Sequence, residues 1–193
     1  MKKKESTLLN MVLTLVVITL VAGVALGYIN DITKGPKAEV QLARKTAALE
    51  SVLPSFTNDP LADMKLIATT NLNDSLEYYP AYRETEFAGA AVVGHSQRGY
   101  NGLVRVMVGF NTDGSINNIR VLEQKETPGL GTKIREQPFI SQFVGKHPSN
   151  FKLKVAKDQG DVDALSGATI SSRAFAEATQ MAYDVFVEGQ SKN

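Results

Sequence analysis

The segment before the last apolar pattern of the chain combines small residues with hydroxyl side chains. It runs Val162-Asp-Ala-Leu-Ser-Gly-Ala-Thr-Ile-Ser-Ser172. If it joins a strand to a helix, the free N–H groups of the helix start and the helix macrodipole favour an anion there, and Gly167 lets the backbone approach it. Four hydroxyl donors add to these amides: Ser166, Thr169, Ser171 and Ser172. The segment predicts a phosphate site, and a serine-rich capping turn is the alternative.

The residue types that the chain lacks restrict its chemistry further. Its 193 residues include no Cys, no Trp and only two His, His95 and His147. The lack of Cys excludes disulfides, thiolate zinc sites, cysteine-ligated iron–sulfur clusters, C-x-x-C-H haem attachment and thiol nucleophiles. Two histidines are too few for a polyhistidine metal site, so we expect no metal. Any redox function would therefore need an organic cofactor.

Spacing and charge argue against three other functions. Neither Ser166 nor Ser171 lies in a G-x-S-x-G elbow, which disfavours a serine hydrolase. The stretch Gly129-Leu-Gly-Thr-Lys133 lacks the spacing of a nucleotide-hydrolysing P-loop. The formal net charge of +1 gives no reason to expect a nucleic-acid partner.

An uncharged stretch near the N-terminus predicts a membrane anchor. Residues 6–30 carry no charged side chain, and roughly 20 mainly apolar residues suffice to span a bilayer. Three lysines, Lys2 to Lys4, precede the stretch, so the N-terminus is expected in the cytoplasm and the chain from Asp31 onward on the outer side. The alternative is a signal peptide cleaved after Gly27.

Alternating apolar residues predict strands in the C-terminal part of the chain. The clearest are residues 103–110 and 116–123, which we expect to form a hairpin through the Gly-containing turn at 111–115. Weaker strand patterns cover 65–70 and 89–94, whereas 71–86 shows no clear period. A further strand is predicted over 151–155, with Lys152, Lys154 and Lys157 on its polar side, either solvated or facing the phosphate.

Helical periodicity appears on both sides of these strands. After a break at Gly35-Pro36, residues 37–52 predict an amphipathic helix with proline at its start. The last helix begins at Ser171, with Ser171 or Ser172 as its cap. We therefore predict an α+β fold with an antiparallel or mixed twisted sheet packed by helices. We expect the chain to have three parts: a short cytoplasmic segment and membrane anchor at residues 1–30, a juxtamembrane helix and linker at residues 31–64, and a folded domain at residues 65–193.

Two motifs carry a family resemblance. Asp163-Ala-Leu-Ser-Gly-Ala-Thr-Ile-Ser171 resembles the D-x-x-[ST]-G-A-T-x-[ST] motif of FMN-binding domains in which the threonine carries FMN through a phosphoester, a position that falls on Thr169. Glu126-Thr-Pro-Gly-Leu-Gly131 resembles the loop that this family places beside the flavin. Gly99-Tyr-Asn-Gly102 is similar, more loosely, to the start of the family's sheet. Gln124 stands where the family often has histidine.

The resemblance implies a covalent FMN on Thr169 and a set of surrounding contacts, with no catalytic residue. Amides or hydroxyls of four residues would hold the phosphate: Ser166, Gly167, Ala168 and Ser172. Five residues of the loop would border the ring or let the backbone approach it: Glu126, Thr127, Gly129, Leu130 and Gly131. A plain Pro-Gly turn is the alternative interpretation of the loop.

Together with the anchor, the motifs resemble the G subunits of Rnf-type ion-translocating electron-transport complexes. The resemblance implies an electron carrier of a ferredoxin- and NAD-linked oxidoreductase in the bacterial inner membrane, with its FMN domain on the periplasmic side. Its implied partners are the other membrane and peripheral subunits and a flavin transferase that uses FAD. The alternatives are the C subunit of a sodium-translocating NADH:quinone reductase, which is generally longer and carries a tryptophan near the flavin, and a redox-silent binding or assembly module.

Overall fold

The computed structural model describes residues 8–68 and 75–191 and divides the chain into two compact units, Met1–Ala43 and Arg44–Asn193. Three α-helices, five strands and two 3-10 turns occur in the described part. The helices are α1 (Leu8–Val52), α2 (Gln137–Ile140) and α3 (Thr169–Gln190). The strands are β1 (Lys65–Ala68), β2 (Ser75–Arg83), β3 (Glu86–Gly99), β4 (Gly102–Asn111) and β5 (Ile116–Gln124), and the 3-10 turns are Gly131–Arg135 and Ala156–Asp158.

Helix α1 is long and apolar enough to cross a membrane, with a mean hydropathy of 2.5 in its most apolar window. Its hydroxyls are satisfied within the helix, since Thr14 Oγ1 donates to the Asn10 carbonyl at 2.7 Å and Thr19 Oγ1 to the Leu15 carbonyl at 2.9 Å. Lys2 to Lys4, which set the predicted orientation, lie outside the described residues.

The predicted break at Gly35-Pro36 is wrong, because α1 continues through both positions. A proline removes one helical hydrogen bond, but its fixed φ is close to the helical value, so the chain can continue. The C-terminal end of α1, from Arg44 onward, belongs to the second unit. The predicted division places these residues in the helix and linker segment at 31–64.

The second unit is built on an antiparallel meander in which the strand order follows the chain, β1-β2-β3-β4-β5. The predicted hairpin of β4 and β5 is confirmed, with Val108 opposite Ile119 and the Asn111 amide donating to the Ser115 carbonyl at 2.9 Å. Strand β1 matches the prediction as far as Ala68, and residues 69 and 70 lie outside the described part. The α+β class is confirmed.

A helix covers each face of the sheet. Alternate residues of β4, among them Val106 and Val108, are buried with α3. On the opposite face, Leu49 and Val52 at the end of α1 are buried with Met107. Two sheet glycines permit this close approach: a Cβ added at Gly94 would lie 1.9 Å from the Ala178 carbonyl oxygen, and one at Gly109 would lie 1.9 Å from that of Val52.

The predicted strand at 151–155 is wrong. Leu153 and Val155 are buried as the alternation requires, but the segment pairs only through an isolated parallel bridge between Val155 and Val162. Its backbone bonds locally instead, because the Lys154 amide donates to the Lys152 carbonyl at 2.7 Å and the Lys152 amide donates to the Asp161 carboxylate at 2.7 Å. The alternation therefore reports burial against the core rather than membership of the sheet.

Candidate functional site

A cavity of about 470 Å³ lies at the N-terminus of α3, between three segments that are distant in sequence. It is lined by the turn between β3 and β4, by the loop after β5 and by the start of α3. The lining residues are Tyr100, Glu126, Thr127, Leu130, Gly131, Gly167, Ala168, Thr169, Ile170 and Ser171. Seven of the ten residues named from the sequence are therefore brought together here.

The start of α3 presents unbonded amides at this cavity. Ala168 is the N-cap and Thr169 the first helical residue. The first backbone hydrogen bond of the helix runs from the Ser172 amide to the Ala168 carbonyl at 3.0 Å, so the amides of residues 169–171 precede the helical ladder. Gly167 has φ +74, a conformation that favours glycine. Amides, helix dipole and the half-buried Thr169 together form a site for an anion.

The two serines expected to cap α3 have other roles. The prediction of Ser171 or Ser172 as the cap is wrong, because both lie inside the first turn and Ala168 makes no side-chain capping bond. Ser172 is fully buried; its Oγ donates to the Ala168 carbonyl at 3.0 Å and accepts from the Leu165 amide at 3.0 Å. Ser172 thus braces the turn and does not line the cavity, and neither does the exposed Ser166.

The loop after β5 is held by its own hydrogen bonds. The Thr127 carbonyl accepts from the Leu130 amide at 3.2 Å and from the Thr132 amide at 3.3 Å. The Gly129 amide donates to Thr132 Oγ1 at 3.1 Å, and Gly129, with φ +76, turns the chain at an exposed point beside the cavity lining. The conformation of the loop is therefore stabilised by hydrogen bonds within the loop itself.

Glu126 connects this loop to α3. Its side chain is buried, and Oε2 accepts from Ser171 Oγ at 2.7 Å. Its amide donates to Gln124 Oε1 at 2.6 Å, so the glutamine that stands in the family's frequent histidine position accepts a hydrogen bond here. Glu126 joins the loop to the helix at the floor of the site.

Apolar side chains that are unusually exposed surround the opening. Tyr100 is 66% exposed, Leu130 46% and Ile170 45%. A phosphate-type site next to such a rim suits a ligand with an anionic end and a flat apolar body. Tyr100 and Ile170 were not among the named site residues, although both lie inside the quoted motif segments.

Arg173 and the three lysines singled out in the sequence lie outside the cavity lining. Arg173, in the first turn of α3, donates to both carboxylate oxygens of Asp158 at 2.6 and 2.9 Å, and it lowers the pKa of that carboxyl. Lys154 lines a separate groove with Arg173, while Lys152 and Lys157 are exposed. Backbone amides and hydroxyls, rather than a cation cluster, form the polar side of the site.

Comparison with known proteins places the chain among the components of redox complexes. Residues 99–184 match the FMN-binding domain. The G subunit of the ion-translocating oxidoreductase complex of Vibrio atlanticus is 34% identical over 160 residues, covering 78% of this chain and 77% of that protein. The G subunit of the Na(+)-translocating ferredoxin:NAD(+) oxidoreductase complex of Acetobacterium woodii is 32% identical over 186 residues, covering 90% and 89%.

A solved structure, that of Shewanella oneidensis NqrC, is similar with a TM-score of 0.49 and 17% identity, covering 76% of this chain and 74% of that one. The sequence relatives are similar over most of both chains, and at this level of identity they establish the family. The chain belongs to the G subunits of ion-translocating oxidoreductase complexes.

Proposed function

We propose that the chain is the electron-carrying subunit of a membrane-bound, ferredoxin- and NAD-linked ion-translocating oxidoreductase and that it carries FMN in a phosphoester to Thr169. One observation carries the proposal: the threonine of the flavin motif is the first residue of a helix whose free amides border a cavity with an apolar rim. The family membership and the match of residues 99–184 to the FMN-binding domain support it.

The residues that line the site suit both the phosphate and the isoalloxazine ring of FMN. Amides of residues 169–171, with Gly167 and Ala168 beside them, suit the phosphate. Tyr100, Leu130 and Ile170 offer apolar surface to the isoalloxazine ring. Thr127 and Gly131 also line the cavity, and Gly131 would let the backbone approach the cofactor.

The flavin would supply the redox chemistry that a chain without Cys cannot, while the protein sets its position and potential. Thr169 serves as the attachment point: transfer from FAD exchanges a pyrophosphate bond for a phosphoester at Thr169 Oγ, with release of AMP and of the hydroxyl proton. A non-covalent site of ~1 μM affinity, worth about 8 kcal/mol, would empty where free FMN is scarce. The covalent bond removes that dependence.

The remaining parts of the proposal concern location and partners. Helix α1 anchors the chain in the bacterial inner membrane with the N-terminus in the cytoplasm and the FMN domain on the periplasmic side. The other membrane and peripheral subunits exchange electrons with it and form the ion path, which a single span does not provide. A flavin transferase that uses FAD attaches the FMN.

Covalent flavin tests the proposal directly. The full chain, produced with a flavin transferase, should fluoresce as a flavin band on a denaturing gel, and its mass should exceed that of the polypeptide by FMN minus water. Thr169→Val should abolish both signals because the attacking hydroxyl is gone. Thr179→Val is the matched control, since Thr179 is a buried α3 residue whose Oγ1 donates to the Phe175 carbonyl.

Two results would contradict the proposal. A wild-type chain without a flavin band would favour the redox-silent module, and a Thr169→Val chain that still carries flavin would move the attachment to another residue. Mapping the adduct to the peptide that contains Thr169 distinguishes these outcomes.

A further inference from the structure

Glu126 is a buried carboxylate on which three separate segments converge. It is only 4% exposed, although it borders the cavity. Its Oε2 accepts from Ser171 Oγ at 2.7 Å, in the first turn of α3. Its Oε1 accepts from the Asn101 amide at 3.4 Å, in the turn between β3 and β4. One side chain thus connects the loop after β5 to both of the other segments that line the site.

Two glycines lie close to this carboxylate. A Cβ added at Gly131 would lie 2.5 Å from Ser171 Oγ and 2.8 Å from Glu126 Oε2. A Cβ added at Gly99 would lie 2.5 Å from Glu126 Oε1. Real Cβ atoms do not approach other atoms so closely, so the absence of a side chain at both positions is what admits the carboxylate.

The bond to Ser171 acts on the part of α3 that carries Thr169. Ser171 is two residues beyond Thr169, and its amide is one of the three that precede the helical ladder. Ser171 is 1% exposed, so its hydroxyl donates to a carboxylate shielded from water, where such a bond is strong and costly to lose. Moving Glu126 would therefore release the first turn of α3 from the loop.

We propose that Glu126 is a positioning residue that acts through Ser171, holding the first turn of α3 so that Thr169 is oriented for attachment of the flavin. The length of the side chain and its acceptor oxygen carry this role, because together they allow Glu126 to reach Ser171 Oγ. The inference deepens the proposed function and rests on the cavity being the FMN site.

Two conservative substitutions separate geometry from charge. Glu126→Gln keeps the length of the side chain and an acceptor oxygen for Ser171, but it replaces the oxygen that accepts from the Asn101 amide by an NH2 group. Glu126→Asp keeps the charge but is one methylene shorter, so the carboxylate cannot reach Ser171 Oγ. We expect flavin loading of Glu126→Asp to fall at least tenfold and that of Glu126→Gln to fall by less than that of Glu126→Asp.

The measurement is the rate of flavin attachment to the purified full chain, with purified flavin transferase and FAD, followed by in-gel fluorescence and normalised to folded protein by circular dichroism. Ser171→Ala should lower the rate as Glu126→Asp does, and the double variant should be no slower than the slower single one. Thr179→Val, which removes a buried α3 hydroxyl far along the helix, should load like wild type.

The outcomes are decisive in each direction. Loading of Glu126→Asp at the wild-type rate, with loss in Glu126→Gln, would assign the role to charge and overturn the inference. Wild-type loading in Glu126→Asp and Ser171→Ala together would show that the contact is not used. If Glu126→Asp fails to fold, Ser171→Ala decides.

The positioning role can also be measured without flavin, which separates it from the proposed function. In unloaded chains the shifts in unfolding midpoint of Glu126→Asp and Ser171→Ala should be non-additive, because both remove one bond. Additive shifts would contradict the positioning role, whereas a wild-type chain that never takes up flavin would contradict only the proposed function.

Discussion

At the residue scale, Thr169 is the hydroxyl residue of the 162–172 segment in which three properties occur together. It is the first residue of α3, it lines the cavity and it is half-buried. Ser166 is exposed outside the lining, and Ser172 is buried with its hydroxyl engaged. Ser171 lines the cavity, but its hydroxyl is bound to Glu126. These properties support the proposal that Thr169 is the attachment point.

A single methyl group at Gly131 should disturb this site. In Gly131→Ala the new Cβ would lie 2.5 Å from Ser171 Oγ, so the loop or the helix start must move. We expect a loss of about 2 kcal/mol in the free energy of unfolding, typical of overpacking, together with slower flavin attachment. Chemical denaturation of the full chain and in-gel flavin fluorescence measure the two effects.

Gly27→Ala serves as the control for this prediction, because its added methyl meets no atom within 4 Å. Wild-type stability and loading in Gly131→Ala would show that the loop is looser than the structure indicates.

At the element scale, the sheet faces explain which strands could be found from the sequence. Strands β4 and β5 alternate clearly and were predicted, whereas β2 was not. In β2 the residues from Tyr78 to Ala81 are all buried, since the end of α1 covers one face and α3 the other. β2 also contains Pro80 and has no period of two to detect, whereas β4, although buried on both faces at residues 106–110, has Arg105 and Gly109 between its apolar residues. Conversely, the alternation at 151–155 arose from burial without sheet pairing.

An ion pair at the end of α1 should make the attachment of this helix depend on pH. Lys45 Nζ donates to both oxygens of Glu77 on β2 at 2.9 Å, and Tyr79 OH donates to Glu77 Oε2 at 2.8 Å. Burial raises the pKa of Glu77, but the hydrogen bonds from Lys45 and Tyr79 and the charge of Lys45 outweigh it, so the pKa lies below its ordinary value.

Lys45→Met should therefore destabilise the protein at neutral pH by about 1 kcal/mol. A depressed carboxyl pKa contributes stability that is present above the unfolded-state pKa of about 4.3 and is lost as pH falls through the folded-state pKa. The difference in free energy of unfolding between wild type and Lys45→Met should thus shrink as the pH is lowered below about 4.

Denaturation curves from pH 7 downward measure this difference. Lys157→Met, at an exposed lysine, is the control and should change stability by less than about 0.5 kcal/mol at every pH. If the difference in free energy of unfolding between wild type and Lys45→Met does not change with pH, the ion pair with Glu77 is not the source of that difference.

At the scale of the whole molecule, the lack of cysteine makes the predicted topology directly measurable. Single cysteines can be introduced at Ser6→Cys, before the span, and at Ser149→Cys, on an exposed turn of the second unit. In intact cells with a permeabilised outer membrane, an impermeant maleimide should label Ser149→Cys and not Ser6→Cys. Lysis should make Ser6→Cys reactive, and the reverse pattern would refute the predicted orientation.

The same experiment tests the anchor itself. A retained span keeps the chain in the membrane fraction after alkaline washing, and the intact mass includes the N-terminal residues. A mass that corresponds to cleavage after Gly27 would instead support the signal-peptide alternative.

The sequence by itself determined the features that depend on local chemistry: an uncharged stretch long enough to span a membrane, a β4–β5 hairpin, a helix whose apolar positions recur every turn, and two motifs that resemble those of FMN-binding domains. These are readable because charge, period and motif spacing lie along the chain. Tertiary structure alone decided that Ala168 rather than a serine caps α3 and that Tyr100 and Ile170 line the cavity. It also decided the bond from Ser171 to Glu126, 45 residues apart. Such contacts depend on packing between distant segments, which no local pattern encodes.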